Sequence, residues 1–307
     1  MQFFSNKASL SLSLLLILSL SLLPQFGHAQ LAWEMEEINV DSLQQVLPGL
    51  KGTEKIDALN KLSLALCRDD PDSSITIAQN TIALSKQGSY VEGQGDGYFN
   101  LGMAYAYADL VKLSTINYFN ALRVYEDLDP KEKLADTYIE LSFQNWIAGR
   151  FDMAYSYCRE ALNIYKTIFD IKGEAHTAYI LSHIYKLSWP QHNDSVDYYL
   201  DYALQLLDQY PDYGLIFKVY MMYGNNYNSI WEQEHDTILT LYKALDWYYM
   251  AHENIQKRFE SGEAVIPEMA GILYNIGNIY TKLGREENIR QGYDYIRQAK
   301  QVAESID

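Results

Sequence analysis

Ile272, Leu273, Ile276 and Ile279–Tyr280 recur at the three- and four-residue steps that line one face of an α-helix. Gly277 stands in their midst, where a glycine costs about 1 kcal/mol relative to alanine. The arrangement recurs earlier as "YFNLGMAY" (Tyr98, Leu101, Gly102, Tyr105) and "YMMYGNNY" (Tyr220, Tyr223, Gly224, Tyr227). Weaker copies are "LNKLSLAL" around Ser63, "YIELSFQN" around Ser142 and "AYILSHIY" around Ser182. Six segments thus bring Ser63, Gly102, Ser142, Ser182, Gly224 and Gly277 to one equivalent position, spaced 39, 40, 40, 42 and 53 residues apart. A second helical signature follows each, at Ala83–Leu84, Ala121–Leu122, Ala161–Leu162, Ala203–Leu204 and Ala244–Leu245, with Ala299 in the last copy. Each unit is therefore predicted to be two antiparallel helices crossing at small residues. Gly277 would admit its partner helix closely, and the packing gained would offset the helix propensity lost.

Turn chemistry falls between these helices, at Asp70–Pro71–Asp72–Ser73, Leu128–Asp129–Pro130, Tyr210–Pro211–Asp212 and from Ser261–Gly262 through Pro267. Asp41 and Asp72 or Ser73 are the expected N-caps. Pro190 is expected to widen the turn inside the fourth hairpin, and the long gap after Ala244–Leu245 predicts a helix running on toward Glu260. The "EGQGDG" run (Gly93, Gly95, Gly97) lacks the preceding strand and the lysine of a phosphate-binding loop, and reads as a flexible turn between units.

An aromatic residue, Leu-Gly and a tyrosine at fixed steps, then Ala in the second helix, resembles the tetratricopeptide repeat (TPR) over about residues 53–307. The resemblance implies an all-α, right-handed superhelical solenoid of about six hairpins. The period is near 40 residues, longer than the ~34 of the minimal repeat. Residues 30–52 would form an N-terminal lead-in or cap helix. Long repeats behind a leader look similar to the extracytoplasmic TPR region of bacterial sensor histidine kinases and related regulators.

In TPR arrays the first helix of each unit lines the concave face, with ligand contacts one residue after the small position and four to either side. Carried over, this row selects Phe99, Met103, Phe143, Trp146, Tyr179, His183, Lys186, Met221, Asn225, Asn228, Tyr274 and Asn278. Phe99, Met103, Phe143 and Trp146 would suit an apolar side chain or a partner helix. The amides of Asn225, Asn228 and Asn278 each offer two donors and an acceptor to an extended peptide backbone. His176, His183 and Lys186 would add a local positive spot for an acidic side chain or a carboxylate terminus.

The N-terminus changes the setting. Lys7, the apolar run "LSLSLLLILSLSLL", Pro24 and Gly27–His28–Ala29 read as a signal peptide over residues 1–29, cleaved before Gln30. An uncleaved anchor is the alternative. The expected localisation is periplasmic or secreted, and no later stretch is long and apolar enough to span a bilayer. A net charge of −16 speaks against nucleic acid and anionic membrane surfaces as partners. Cys67 and Cys158 read as packed thiols.

Catalysis, metal and cofactors find little support. His176 and His183 share a helix face but not the i, i+4 spacing of a zinc chelate. There is no GxSxG, no Cys–His pair and no carboxylate dyad on one helix face. The reading is an exported, non-catalytic protein- or peptide-binding module, with a sensory role in signalling implied by the resemblance. The alternative is a scaffold component of a cell-envelope complex. It would use the convex face and the C-terminal end, where Ile296, Val302 and Ile306 continue the apolar pattern and call for a partner or a second copy.

Overall fold

A computed structural model describes residues 39–189, 191–234, 237–263 and 265–305. The leader and its cleavage site, Pro190 and Ile306 lie outside these residues. Helix α1 (Val40–Val46) and a 3-10 turn (Leu47–Gly49) lead into α2 (Gly52–Leu66), α3 (Pro71–Gln87), α4 (Val91–Tyr107), α5 (Val111–Leu128), α6 (Lys131–Ile147) and α7 (Phe151–Ile168). Then follow α8 (Ile171–Ser188), α9 (Asn193–Gln209), α10 (Tyr213–Glu234), α11 (Ile238–Glu260), α12 (Ile266–Lys282) and α13 (Glu286–Ala303). No strand occurs among the described residues. Helix α11 reaches Glu260, as the gap in the repeat requires.

The caps fall two residues earlier than expected. Asn39 Oδ1 accepts from the Ser42 N–H at 2.9 Å, and Asp70 Oδ1 accepts from the Ser73 N–H at 3.1 Å with Pro71 opening the helix. Asp41 and Asp72 instead sit in the first turn, where the helix dipole favours an anion. A larger correction concerns "EGQGDG", which is the first part of α4 rather than a turn. A β-carbon on Gly93 would fall 2.7 Å from Ile56 Cγ2, and one on Gly97 2.7 Å from Ile82 Cγ1. The glycines let α4 pack closely on α2 and α3.

The chain divides at Gly173–Glu174, inside α8, into two compact units. In the unit before this point the hairpins α2/α3, α4/α5 and α6/α7 repeat every 40 residues, their second helices starting at Pro71, Val111 and Phe151. Its core gathers Cys67, Met103, Tyr118, Tyr125 and Leu141. In the unit after it, α9 packs on α10, α10 pairs with α11, and α12 pairs with α13. One cluster there centres on Leu200, Leu207 and Val219, and another on Leu241, Tyr248, Ile272 and Ile276. In the first hairpin the buried pair is Thr81–Ile82, not Ala83–Leu84, since Ala83 points to solvent. Cys67 and Cys158 are buried and outside any disulfide among the described residues, as expected of packed thiols.

The small position is used in several ways. Ser63 exchanges hydroxyl hydrogen bonds with Ser74, and Ser142 Oγ donates to the Ala154 carbonyl at 2.7 Å. Gly102 and Gly224 lie under the rings of Tyr118 and Tyr248. Of the three glycines at this position, Gly277 alone meets backbone, at the Gly292 carbonyl and the Ile296 amide of α13. Ile296 therefore faces α12 rather than an open outer surface, a correction to the expectation for the C-terminal end.

Phe169, which ends α7, is 86% exposed and holds φ at +59°, a conformation that costs an ordinary L-residue roughly 1–2 kcal/mol. Phe169→Gly is expected to stabilise the protein by about 0.5–1 kcal/mol, because glycine adopts this φ freely. A denaturant titration checks it; an unchanged or lowered midpoint would show that the phenyl ring is anchored.

Candidate functional site

In the unit before Gly173, the first helices of three consecutive hairpins line a cavity of about 450 Å³. Helix α2 contributes Asp57, Asn60, Lys61 and Leu64, α4 contributes Glu92, Asp96, Phe99 and Asn100, and α6 contributes Lys133 and Asp136. Asp57, Asp96 and Asp136 each stand six residues before the small position of their hairpin (Ser63, Gly102, Ser142). Equal register on parallel neighbouring helices places all three on one wall. This row lies outside the positions selected from the sequence, although an acid repeating at one register was a visible signal.

The acids are tied into the frame. Lys133 Nζ donates to Asp96 Oδ1 at 2.7 Å and to Glu92 Oε1 at 3.1 Å. Burial works against the Lys133 ammonium, but these bonds raise its pKa on balance. Tyr125 donates its hydroxyl to Asp96 at 2.7 Å, and Tyr165 donates to Asp136 at 2.5 Å. Gly95 makes room for the Tyr125 ring, which would come within 2.6 Å of a β-carbon there. Asn60, only 5% exposed, gives its Nδ2 to the Gly93 carbonyl at 3.2 Å, and its Oδ1 has no hydrogen-bond partner.

Of the predicted residues in this unit, Phe99 is on the cavity wall, half-buried. Met103 is 1% exposed and belongs to the core, so it offers a ligand no surface. Phe143, also buried, stacks on the half-buried Trp146 at 6.2 Å between ring centroids. Sequence reasoning missed Glu140, a fully enclosed carboxyl on α6 that accepts from the Tyr118 hydroxyl at 2.9 Å. Burial lifts its pKa to about 7 despite that bond.

In the unit after Gly173 the predicted row runs through Tyr179, His183 and Lys186 on α8, Met221, Asn225 and Asn228 on α10, and Tyr274 and Asn278 on α12. The rings of Tyr179 and His183 meet edge-on at 4.6 Å. Burial, with Lys218 nearby, lowers the His183 pKa to about 3, so the imidazole is neutral at physiological pH. It therefore adds nothing to the positive spot expected there. Burial lowers the Lys186 pKa to about 8, with Asp197 and Glu232 acting the other way, so Lys186 keeps most of its charge at neutral pH.

The amides of α10 are polarised toward donation. Asn225 is exposed and its Oδ1 accepts from the Tyr248 hydroxyl at 2.7 Å. Asn228 Oδ1 accepts from Lys282 Nζ at 2.8 Å, and the same ammonium binds Glu232 and lies over the Trp231 ring at 5.6 Å. Each asparagine is left with amide N–H groups to offer. Met221 leans on the core, while Tyr274 and Asn278 are half-buried. No helix among the described residues is long and apolar enough to cross a membrane.

No protein-family model and no curated protein matches the sequence. Solved structures do match. BtubC (BKLC) from P. vanneervenii is similar at 17% identity and a TM-score of 0.64, over 77% of this chain and 92% of its own. A signal transduction ATPase with numerous domains and a tetratricopeptide repeat sensor, from Pyrococcus horikoshii, matches at 13% identity and a TM-score of 0.65, over 85% of this chain and 38% of its own. The Rap conjugation gene regulator of plasmid pLS20, solved with the Phr* peptide, matches at 15% identity and a TM-score of 0.52, over 87% of this chain and 68% of its own. With helical hairpins throughout and a TPR sensor among the matched folds, the chain is an all-α TPR solenoid.

Proposed function

We propose that the protein is an exported, non-catalytic TPR module that binds a peptide or an extended protein segment along the first helices of its hairpins. The cavity walled by three consecutive first helices carries the reading, because it is concave, mixes aromatic and polar groups, and is of a size typical for ligand sites. The amide donors of the exposed Asn225 and the half-buried Asn228 supply what the carbonyls of an extended backbone need. The fold shared with a Rap regulator solved in complex with a peptide supports the same reading. Export rests on the leader at residues 1–29, and a sensory role on the resemblance to extracytoplasmic sensor regions.

The test is selection of peptides from a random library on the immobilised protein, followed by affinity measurement on Phe99→Ala, at the cavity wall, and Asn228→Ala, each alone. A tenfold or greater loss in at least one variant, with melting unchanged, is expected for a side chain at the centre of an interface. Equal affinity in both variants would move the ligand off the first helices of either unit. Mass spectrometry of the protein recovered from its native cells is expected to give Gln30 as the first residue.

A further inference from the structure

We propose that the cavity between α2, α4 and α6 holds a cationic side chain of the bound peptide, an arginine guanidinium or a lysine ammonium; this rests on the peptide-binding reading above. Four carboxylates, Asp57, Glu92, Asp96 and Asp136, face the space with only Lys61 and Lys133 to balance them. Lys133 is committed to Glu92 and Asp96 through its two short bonds. An anionic ligand would enter against this charge, and a cation would enter with it.

A second observation points the same way and does not depend on charge. Asn60 sits on the same wall, almost wholly buried, with Oδ1 lacking a donor. A buried acceptor left unpaired is unfavourable, so the complement it lacks is an N–H or O–H group. Guanidinium carries five N–H donors and no acceptor, and ammonium three. Both kinds of group would also be attracted to the face of an aromatic ring, which the half-buried Phe99 supplies on the wall.

A bare metal ion fits less well. The acids belong to three different helices, and among the described residues no three acids, histidines or cysteines gather closely enough to hold an ion. A side chain with spread-out donors matches spread-out acceptors. The aspartates also come from one register of three successive repeats, Asp57, Asp96 and Asp136. In the two hairpins that follow, the same register carries His176 and Lys218, so the acidic row is confined to this unit.

The experiment uses the peptides selected from the random library on the full chain. They are expected to share an arginine or lysine at one position. Replacing that residue by citrulline, which keeps the shape of arginine without its charge, is expected to weaken binding tenfold or more. The rim variant Asp57→Asn/Glu92→Gln, with melting unchanged, should weaken the cationic peptide to a similar extent and leave the citrulline peptide alone. Selected peptides without a common cation, or equal affinity for arginine and citrulline forms, would overturn the proposal while leaving peptide binding intact. Failure to select any peptide would remove the reading beneath it. Spermidine as competitor separates the sources of the cation: weak displacement fits a peptide side chain, and binding tighter than every selected peptide would overturn the proposal in favour of a free polyamine.

Discussion

Glu140→Gln is expected to raise the stability of the protein at pH 8 by about 3 kcal/mol and to leave it nearly unchanged at pH 4. Glu140 is enclosed between α6 and α5, and burial moves its pKa from 4.5 to about 7. The folded state thus holds the proton more tightly than the unfolded chain does. That preference contributes fully below pH 4.5, declines as the unfolded carboxyl ionises, and is gone once the folded carboxyl ionises above pH 7. A shift of this size corresponds to roughly 3 kcal/mol at 1.36 kcal/mol per pH unit. Glutamine keeps an acceptor for the Tyr118 hydroxyl and carries no charge to bury.

The comparison between the two proteins isolates this one group. His183 acts in the opposite sense, since its lowered pKa costs stability as pH falls below 6.5, but it does so equally in both. Tyr118→Phe offers an independent arm. The hydroxyl bond holds the Glu140 pKa down against burial, so its removal should push the upper edge of the titration above pH 7. Urea titrations of the three proteins between pH 4 and pH 9 give the differences directly. Parallel stability curves for the native and Glu140→Gln proteins would mean that the carboxyl is solvated.

The hairpins are legible in the sequence because their signal is repeated. Gly or Ser at one register, followed by Ala-Leu in a second helix, marks a crossing that backbone and small side chains alone can make. What hides in the sequence is contact between repeats. Gly93, Gly95 and Gly97 oppose a helix by propensity, yet Ile56, Ile82 and Tyr125 occupy the space their side chains would need, and tertiary packing overrides propensity. The forty-residue register, with helices starting at Val91, Lys131 and Ile171, would have placed all three glycines inside a helix.

The candidate site shows the same division. Positions carried over by resemblance found Phe99 on the cavity wall but also named Met103, which faces the core one residue beyond Gly102. The Asp57, Asp96 and Asp136 row went unnoticed because each aspartate, taken singly, reads as a solvated helix residue. Only the neighbouring helices show that the three share one wall. Glu140 was invisible for a related reason. Nothing local distinguishes a glutamate whose neighbours on the chain, Ile139 and Leu141, are themselves buried from one that reaches water.

Two glycines six residues apart on α12 should respond to alanine with opposite signs. Gly271 has no atom within 4 Å of the place a β-carbon would take, so Gly271→Ala gains helix propensity at no steric cost. It is expected to stabilise by about 0.8–1 kcal/mol. A β-carbon on Gly277 would lie 2.7 Å from the Gly292 carbonyl oxygen and 3.1 Å from the Ile296 amide nitrogen, both backbone atoms of α13. No rotamer relieves that contact, and the helices must separate. Gly277→Ala is therefore expected to lose about 1–3 kcal/mol even after its gain in propensity. Gly292→Ala makes the mirror contact with the Gly277 carbonyl at 2.7 Å and the Thr281 amide at 3.0 Å. Once either alanine has pushed the helices apart, the second meets a gap already open, so the double variant should lose less than the two singles added together. Thermal melts of the native protein and the four variants, with hydrogen exchange along α13 as a local readout, test the set. Stabilisation by alanine at both Gly271 and Gly277 would show that α12 and α13 cross farther apart than the glycine pair implies, and that the glycine repeated along this chain marks something other than close approach.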